Sequence, residues 1–237
     1  MFISFLKYKA NHRKTNASNG VMFYHLKMQN LLEIKDVTYS YSNQNEIISN
    51  FSLCLNSGEH IAIIGPNGKG KTTLLKIAAG LIQPASGQVL FDGSSTDAQD
   101  YKSLRPRISF LFQKPQTQII GQTPFEDVVF GLKNTVVKKE EAKEIAKATL
   151  VRLNIEEIAN LDSYSLSGGQ SQMVAFAGAI ATQPKLLLLD EPTSMLDAEF
   201  KVKMIEVTKE LQCQGTAILS VSHDSDFLEH ANKVITL

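Results

Sequence analysis

The first residues whose types and spacing could do chemistry lie in Ile61–Ala79, where an apolar run meets a glycine-rich turn and then an apolar-periodic segment. The turn matches the pattern G-x-x-x-x-G-K-[ST] from Gly65 to Thr72. Gly65, Gly68 and Gly70 can adopt backbone angles closed to other residues, so that successive N–H groups can point at one anion. The helix that follows adds unpaired N–H groups and the positive end of its dipole. This stretch predicts a site for a nucleoside triphosphate.

The side chains of the turn fit the same chemistry. Lys71 supplies a mobile positive charge for the outer phosphates, and the Thr72 hydroxyl is a suitable Mg²⁺ ligand. The other turn residues expected to contact the nucleotide are Pro66, Asn67, Lys69 and Thr73. The alternative is a glycine-rich strand-to-helix turn that binds nothing, and the strand and helix patterns on its two sides disfavour it.

Two carboxylates follow a run of four leucines in Leu186–Glu191. Such a run is typical of a buried central strand, so Asp190 should emerge at its C-terminal end, where α/β sheets bind ligands. There Asp190 could hold Mg²⁺ through water, opposite Thr72, while Glu191 orients or deprotonates the attacking water. By itself this stretch would be better explained as a strand ending in a solvated acidic turn; together with the phosphate loop it predicts a hydrolytic site.

A second anion-binding pattern occurs at Ser167, Gly168, Gly169 and Gln170, which open a helix of small residues. One nucleotide needs only one such cradle around its γ-phosphate. The second cradle therefore predicts contact with a nucleotide that another subunit holds. The alternative is a helix N-cap serine with a flexible entry turn.

Composition limits the classes of protein that fit. The 237 residues suit one large domain, or a core with a smaller subdomain. Lys+Arg and Asp+Glu both number 24, so overall charge gives no reason to expect a nucleic acid or an anionic membrane as partner. The two cysteines form no metal or redox motif, which fits a reducing cytosol. The sequence has no apolar run of about 18 residues that could span a bilayer.

The order of patterns along the chain indicates an α/β architecture. Residues 1–30 have no sustained period and are expected to form a poorly ordered extension, in which Met22 and Met28 are alternative starts. Beyond them, strands alternate with helices, which predicts a mostly parallel sheet with helices on both faces. The all-helical stretch 113–183 predicts a second lobe inserted into a core of residues 31–112 and 184–237.

Leu166–Gln170 reads LSGGQ and resembles the signature of ATP-binding cassette (ABC) ATPases. It lies between a phosphate loop and a strand ending in Asp-Glu, in the order that family uses, and the resemblance covers about residues 31–237. The resemblance implies a P-loop NTPase (RecA-like) core with a mostly parallel sheet, a helical signature subdomain and an N-terminal antiparallel β edge. It also implies ATP hydrolysis with ATP and Mg²⁺, by two subunits that dimerise around two nucleotides.

The resemblance assigns roles to further residues. Tyr41 matches the aromatic residue that stacks on adenine, and Gln113 matches the glutamine that senses Mg²⁺ and the membrane partner. Asp197 ends a segment that matches the loop reaching the nucleotide site of the other subunit, and His223 matches the switch histidine at the γ-phosphate. Without the resemblance these would be an edge tyrosine, a lone glutamine, a helix cap and a structural histidine. The catalytic residues implied are Glu191, His223, Lys71 and Gln113, and the metal-binding residues implied are Thr72, Gln113 and Asp190.

Within the family, Phe112–Gly121 resembles the FQ-x-P-x-x-Q-I-x-G stretch of energy-coupling factor (ECF) and cobalt-type ATPases, and Ser194–Asp197 and Phe130–Leu132 agree. That resemblance implies a pair of ATPases, peripheral on the cytoplasmic face of the cell membrane. Above them it implies a transmembrane coupling protein and a substrate-capturing membrane subunit that import a vitamin or metal ion. The alternatives are a soluble ABC ATPase acting on ribosomes or DNA and a non-hydrolysing partner subunit.

Three departures from the family pattern carry expectations. Lys69 replaces a small residue, and the added cation should not hurt phosphate binding. Met173 replaces an arginine after the signature, which puts the anchoring of that helix in question. The sequence ends at Leu237 in what resembles a late core strand, where family members continue for several dozen residues, so lower stability is expected.

Overall fold

The computed structural model describes residues 30–41, 46–96, 105–135 and 137–237, so the predicted N-terminal extension and its alternative starts lie outside the described residues. The described strands, in chain order, are β1 (Asn30–Tyr39), β2 (Ile48–Asn56), β3 (His60–Ile64), β4 (Ser86–Phe91), β5 (Ser94–Ser95), β6 (Ile108–Leu111), β7 (Leu186–Asp190), β8 (Ala217–Val221) and β9 (Lys233–Thr236).

The described α-helices are α1 (Lys71–Ala78), α2 (Pro124–Gly131), α3 (Lys139–Arg152), α4 (Gly168–Ala181), α5 (Ala198–Cys213) and α6 (Ser225–Leu228). Most begin at a side-chain cap: Thr123, Ser167, Asp197 and Asp224 each accept a hydrogen bond from a first-turn N–H. Sequence periodicity located α1, α3, α4 and α5 but did not separate α2 from the rest of the helical stretch. No helix among the described residues is long and apolar enough to cross a membrane.

Five strands form a parallel sheet in the order β6-β7-β8-β3-β9, which confirms the predicted parallel sheet. Because all five run the same way, their C-terminal ends meet at one edge. The ends of β3 and β7 lie on either side of β8, and these three strands precede the phosphate loop, the Asp-Glu pair and His223 respectively.

Four strands form an antiparallel sheet in the order β2-β1-β4-β5, which confirms the antiparallel β edge that the resemblance implied. The tight turn between β4 and β5 is made by Asp92 and Gly93, both with positive φ (51° and 77°). Asp-Gly is a residue pair typical of such a turn.

Two separate hydrophobic cores meet the parallel sheet. Leu187 and Leu189 of β7 pack with the helices of residues 124–181 and with α5. Leu186 and Leu188 pack with α1 and the antiparallel sheet. Since successive side chains of a strand point to opposite faces, the sheet separates the two cores.

His60 is a buried polar residue, 1% exposed, at the start of β3. Its Nε2 lies 2.8 Å from the Ser220 hydroxyl on β8, and its ring packs edge-on against Phe227. Burial lowers the pKa of His60 from 6.5 to about 4; the main chain of His230 opposes this shift, and the charge of His230 adds to it slightly.

This buried histidine should make stability depend on pH. Below pH 6.5 the unfolded chain takes up a proton at residue 60, whereas the folded protein takes it up only near pH 4. Stability is therefore complete above about pH 6.5 and falls as the pH drops towards 4, by about 3 kcal/mol in total for this group. Urea unfolding across this pH range should show a flatter profile for His60→Gln than for the wild type; parallel profiles would contradict the assignment.

Candidate nucleotide-binding site

A cavity of about 380 Å³ lies at the C-terminal edge of the parallel sheet. All the residues that line it except Ile47 and Val221 were singled out in the sequence: Tyr41, Ile47, Asn67, Gly68, Gly70, Lys71, Thr72, Thr73, Gln113, Asp190, Glu191 and Val221. The fold thus brings most of the predicted nucleotide-contacting residues of this chain to one place.

The phosphate loop encloses the ammonium group of Lys71, a residue that is only 7% exposed. Its Nζ donates hydrogen bonds of 2.6 Å to the Gly65 carbonyl and 3.0 Å to the Pro66 carbonyl. Two main-chain acceptors therefore hold the positive charge at the inner side of the loop. Lys69, by contrast, is exposed on the outside of the loop.

Two glycines of the loop have positive φ but different surroundings. Gly70, the N-cap of α1, has φ 87°, and a Cβ added there would lie 2.5 Å from Cγ2 of Ile47. Gly68 has φ 81° with nothing within 4 Å of such a Cβ. Of these two, only Gly70 is constrained by both backbone conformation and close packing. The third loop glycine with positive φ, Gly65 (145°), is closely packed as well, since a Cβ added there would lie 2.7 Å from the Leu237 carbonyl oxygen.

Thr72 and Asp190 form the second feature of the cavity. The Thr72 hydroxyl donates a hydrogen bond of 3.1 Å to Oδ1 of Asp190, a residue that is 1% exposed. Burial raises the pKa of Asp190, and the hydrogen bond from Thr72 opposes that shift. A hydroxyl and a carboxylate side by side are oxygen ligands of the kind Mg²⁺ prefers, so the residues present fit that ion.

Glu191 lies directly after β7 with an unusual backbone. Its φ is 49°, a conformation that L-residues adopt at a cost, and its N–H donates to the Val221 carbonyl at 2.8 Å. Its carboxylate lies 3.5 Å from Nε2 of His223, whose side chain is half exposed. Burial raises the pKa of Glu191 and the neighbouring His223 opposes the shift. The hydrogen bond to Val221 thus fixes the main chain from which the Glu191 side chain lines the cavity.

An ion-pair network beside His223 was not foreseen in the sequence. Asp224 accepts a hydrogen bond of 2.9 Å from the Thr193 hydroxyl and pairs with Lys201 at 2.9 Å. Lys201 also pairs with Asp226. The network joins the loop after β8 to the segment after β7 and to α5. An Asp that follows the histidine and caps a short helix was its only signal in the sequence.

Gln113 lines the cavity with an exposed side chain, as expected of a residue that ends a strand. The loop that carries it is fixed by Gln118, whose amide nitrogen donates to the Phe110 carbonyl at 2.9 Å. The amide oxygen of Gln118 accepts from the Phe112 N–H at 3.1 Å. The motif had marked Gln118 without indicating this bridging role.

Tyr41 stands at the rim of the cavity and is 38% exposed. Its hydroxyl lies 3.1 Å from the Thr73 hydroxyl, and its ring packs edge-on against Tyr39. The first contact connects Tyr41 to the phosphate-loop helix, and the second connects it to β1.

The signature residues lie elsewhere: none of the described residues that line the cavity comes from Ser167–Gln170. Ser167 accepts from the Gln170 N–H at 3.2 Å, and Gln170 accepts from the Ser167 N–H at 2.9 Å, so the segment forms a capping box. Ser167 therefore does act as the N-cap of α4, which was the alternative interpretation of this segment. The capped end of the helix is still available to another molecule.

The residues around the signature also have internal roles. A Cβ on Gly169 would lie 3.0 Å from the Met195 carbonyl, so the signature packs closely against the loop that precedes α5. Asp197 at the end of that loop caps α5 by accepting from the Phe200 N–H. Met173 is fully buried in the core of the helical segment, which accounts for an apolar residue there.

Comparison with known families decides the identity of this arrangement. The model of the ABC transporter family matches residues 48–194, more than half of the chain. The chain belongs to the ABC transporter family. ABC ATPases bind and hydrolyse ATP, and this chain is therefore an ATPase, the ATP-binding subunit of a transporter.

Individual relatives narrow the comparison. The chain is 36% identical over 208 residues to the energy-coupling factor transporter ATP-binding protein EcfA1 of Fusobacterium nucleatum, covering 87% of this chain and 78% of that protein. It is 39% identical over 199 residues to EcfA2 of Methanospirillum hungatei, covering 83% of this chain and 50% of that one.

Solved structures agree with the fold. The chain resembles cbiO1 of Clostridium perfringens, described as part of the ABC transporter complex cbiONQ, with a TM-score of 0.77, 31% identity and coverage of 88% of this chain and 84% of that one. It also resembles the ATP-binding cassette MJ0796, as a dimer in a post-hydrolysis state bound to ADP and Pi, with a TM-score of 0.80, 30% identity and coverage of 87% and 94%.

The two loop glycines provide a matched test of the site. Gly70→Ala should disrupt the loop, because the new Cβ meets Ile47, and it should weaken ATP binding at least about tenfold. Gly68→Ala meets only backbone strain, of about 1 kcal/mol, and should bind ATP far better than Gly70→Ala. Titration calorimetry with ATP measures both; equal affinities in the two variants would contradict this account of the loop.

Proposed function

We propose that this chain is the ATPase subunit of an ECF-type importer, which it powers from the cytoplasmic face of the membrane for a vitamin or a metal ion. The observation that carries the proposal is the cavity in which Lys71, the Thr72–Asp190 pair and Glu191 meet. Similarity to EcfA1 and EcfA2 proteins, at 36% and 39% identity, supports the choice of the ECF type.

The loop and its cation bind the triphosphate. Lys71 already lies inside the loop, so its ammonium reaches phosphate oxygens by leaving the two carbonyls that now hold it. Thr72 and Asp190, with Gln113 nearby, would hold Mg²⁺. The charge that Mg²⁺ supplies when bound there would offset negative charge on the β- and γ-phosphates. Tyr41 at the rim offers a ring on which adenine stacks.

Glu191 acts on the water that attacks the γ-phosphate. The hydrogen bond from its N–H to Val221 fixes the main chain at the end of β7, and from there the carboxylate can orient that water or accept its proton. His223, 3.5 Å from that carboxylate, would contact the transferring phosphate and, together with Lys71, stabilise the charge that develops on it.

A second ATPase subunit completes each site. The capped N-terminus of α4 at Ser167–Gln170 contributes nothing to the cavity of its own chain and carries N–H groups suited to an anion. In a head-to-tail pair, these residues and Asp197 face the nucleotide of the partner, which is either an identical or a homologous subunit. The similar MJ0796 cassette is a dimer, which supports this arrangement.

The membrane partner docks on a groove between β6 and the helical subdomain. This subdomain is the stretch 113–183 predicted from the sequence. The groove has a volume of about 330 Å³, and Gln118, Asp127, Gly131 and Ala175 are among the residues that line it. Ile120 and Phe130, 63% and 41% exposed, supply large apolar side chains at its surface. Such a pair fits an apolar side of a helix from a transmembrane coupling protein.

Glu191→Gln tests the hydrolytic role. The variant keeps the shape of the side chain but cannot act as a base, so ATP binding should persist while turnover falls at least about a hundredfold. A closed dimer should accumulate with ATP, visible as a doubled mass in size-exclusion chromatography with light scattering.

Lys71→Ala is the matched variant on the binding side. It should lose nucleotide affinity, because it removes the cation enclosed by the loop, and so it should not accumulate the closed dimer. Normal hydrolysis by Glu191→Gln, or unchanged ATP binding by Lys71→Ala, would sink the proposed mechanism.

The partner is tested by affinity capture of the tagged chain from gently solubilised native membranes, with mass-spectrometric identification. A membrane coupling protein and a second ABC ATPase should copurify, and Phe130→Asp should lose the coupling protein because a charge then lies in the apolar groove. Val202→Asp, at an apolar position 66% exposed on α5 and outside the groove, is the control that should retain it. Recovery of ribosomal or DNA-repair proteins without a membrane protein would favour the soluble alternative.

A further inference from the structure

Gln172 is an anomaly in the second turn of α4. It is fully buried, and neither its Oε1 nor its Nε2 has a hydrogen-bond partner among the described residues. A buried amide with both groups unpaired costs free energy, whereas an apolar side chain of the same shape would not. Folding alone therefore gives no reason for glutamine at this position.

The position of Gln172 on its helix shows what it faces. By helical spacing it shares a face with Ala175, Ala179 and Thr182, which line the groove beside β6. Side chains on a helix lean towards its N-terminus, so Gln172 extends from that face towards the signature. Helix α4 also packs against the turn Pro115–Thr117, which follows Gln113. Gln172 thus lies near the signature end of the helix that contacts the turn beside Gln113.

That loop has main-chain groups to offer, and it is held at Phe112 by Gln118 and at Pro115, whose carbonyl accepts from the N–H groups of Gln118 and Ile119. Gln118 bridges Phe110 and Phe112, and the Thr117 N–H is used within the turn by the Lys114 carbonyl. The Gln113 side chain remains exposed in the cavity. A movement of Gln113 towards the nucleotide would move main-chain groups of residues 113–117 relative to α4.

We propose that Gln172 is a positioning residue that links the nucleotide to the signature helix. When ATP draws Gln113 into the site, main-chain N–H and C=O groups of residues 113–117 become the partners of the Gln172 amide. The hydrogen bonds that are missing in the structure form in the closed state and set the orientation of α4. The inference rests on the proposed function, since it needs a chain that closes around ATP.

The test compares Gln172→Met, which keeps a similar length without polar groups, with the wild-type full chain. The melting temperature should stay equal or rise, because an unpaired buried amide is removed. The kcat for ATP hydrolysis should fall about tenfold, as for a hydrogen bond lost only in the closed state, while KM changes less than about twofold.

Thr208→Val is the matched control. The Thr208 hydroxyl on α5 is also buried without a partner among the described residues, but it lies in none of the segments assigned to the site. This variant should raise the melting temperature and leave kcat unchanged. An unchanged kcat in Gln172→Met would overturn the inference, and so would an equal loss of kcat in Thr208→Val.

A second measurement reads the loop directly. In a Glu191→Gln background, ATP should slow hydrogen exchange of the amides in residues 113–117, and adding Gln172→Met should remove that protection. Equal protection in both proteins would also overturn the inference. ATP turnover by the wild type in the same assays distinguishes failure of this inference from failure of the proposed function, because absence of that turnover would overturn the proposed function as well.

Discussion

The hydrogen bond from the Thr72 hydroxyl to the Asp190 carboxylate joins the first turn of α1 to the end of β7. It can form only because β3 and β7 lie in one parallel sheet with β8 between them. The same strand order places Val221 where its carbonyl accepts the Glu191 N–H and brings His223 beside that carboxylate. The geometry of the site is thus a consequence of sheet order more than of any single loop.

Those parts of the site that depend on short-range patterns were predictable. The glycine spacing in Gly65–Thr72 fixes a turn between a strand and a helix, and four leucines before Asp190 fix a buried strand. Each motif can be recognised from about ten consecutive residues. Because ligands bind at the C-terminal ends of parallel strands, the motifs are then expected to lie at one edge of the sheet. The antiparallel sheet followed from the family resemblance, because β1 and β2 say little about their partner β4.

The parts that sequence did not predict depend on tertiary contacts. The position of Asp224 after the histidine did not reveal its role, since that role comes from Thr193 and Lys201, which reach it from other elements. The bridging by Gln118 requires the backbone of β6 beside it. The Ser167–Gln170 capping box was one of two possibilities in the sequence, and local spacing could not choose between a cap and a ligand cradle because the same N–H groups serve both.

The alternation along β7 has a consequence for how such a protein can change. Leu187 and Leu189 belong to the core of the helical segment, while Leu186 and Leu188 belong to the core beneath the phosphate loop. A substitution at an odd-numbered position of β7 therefore changes the packing of the helical segment, and one at an even-numbered position changes the packing beneath the phosphate loop. The core of the helical segment can therefore diversify while the core beneath the phosphate loop keeps its packing.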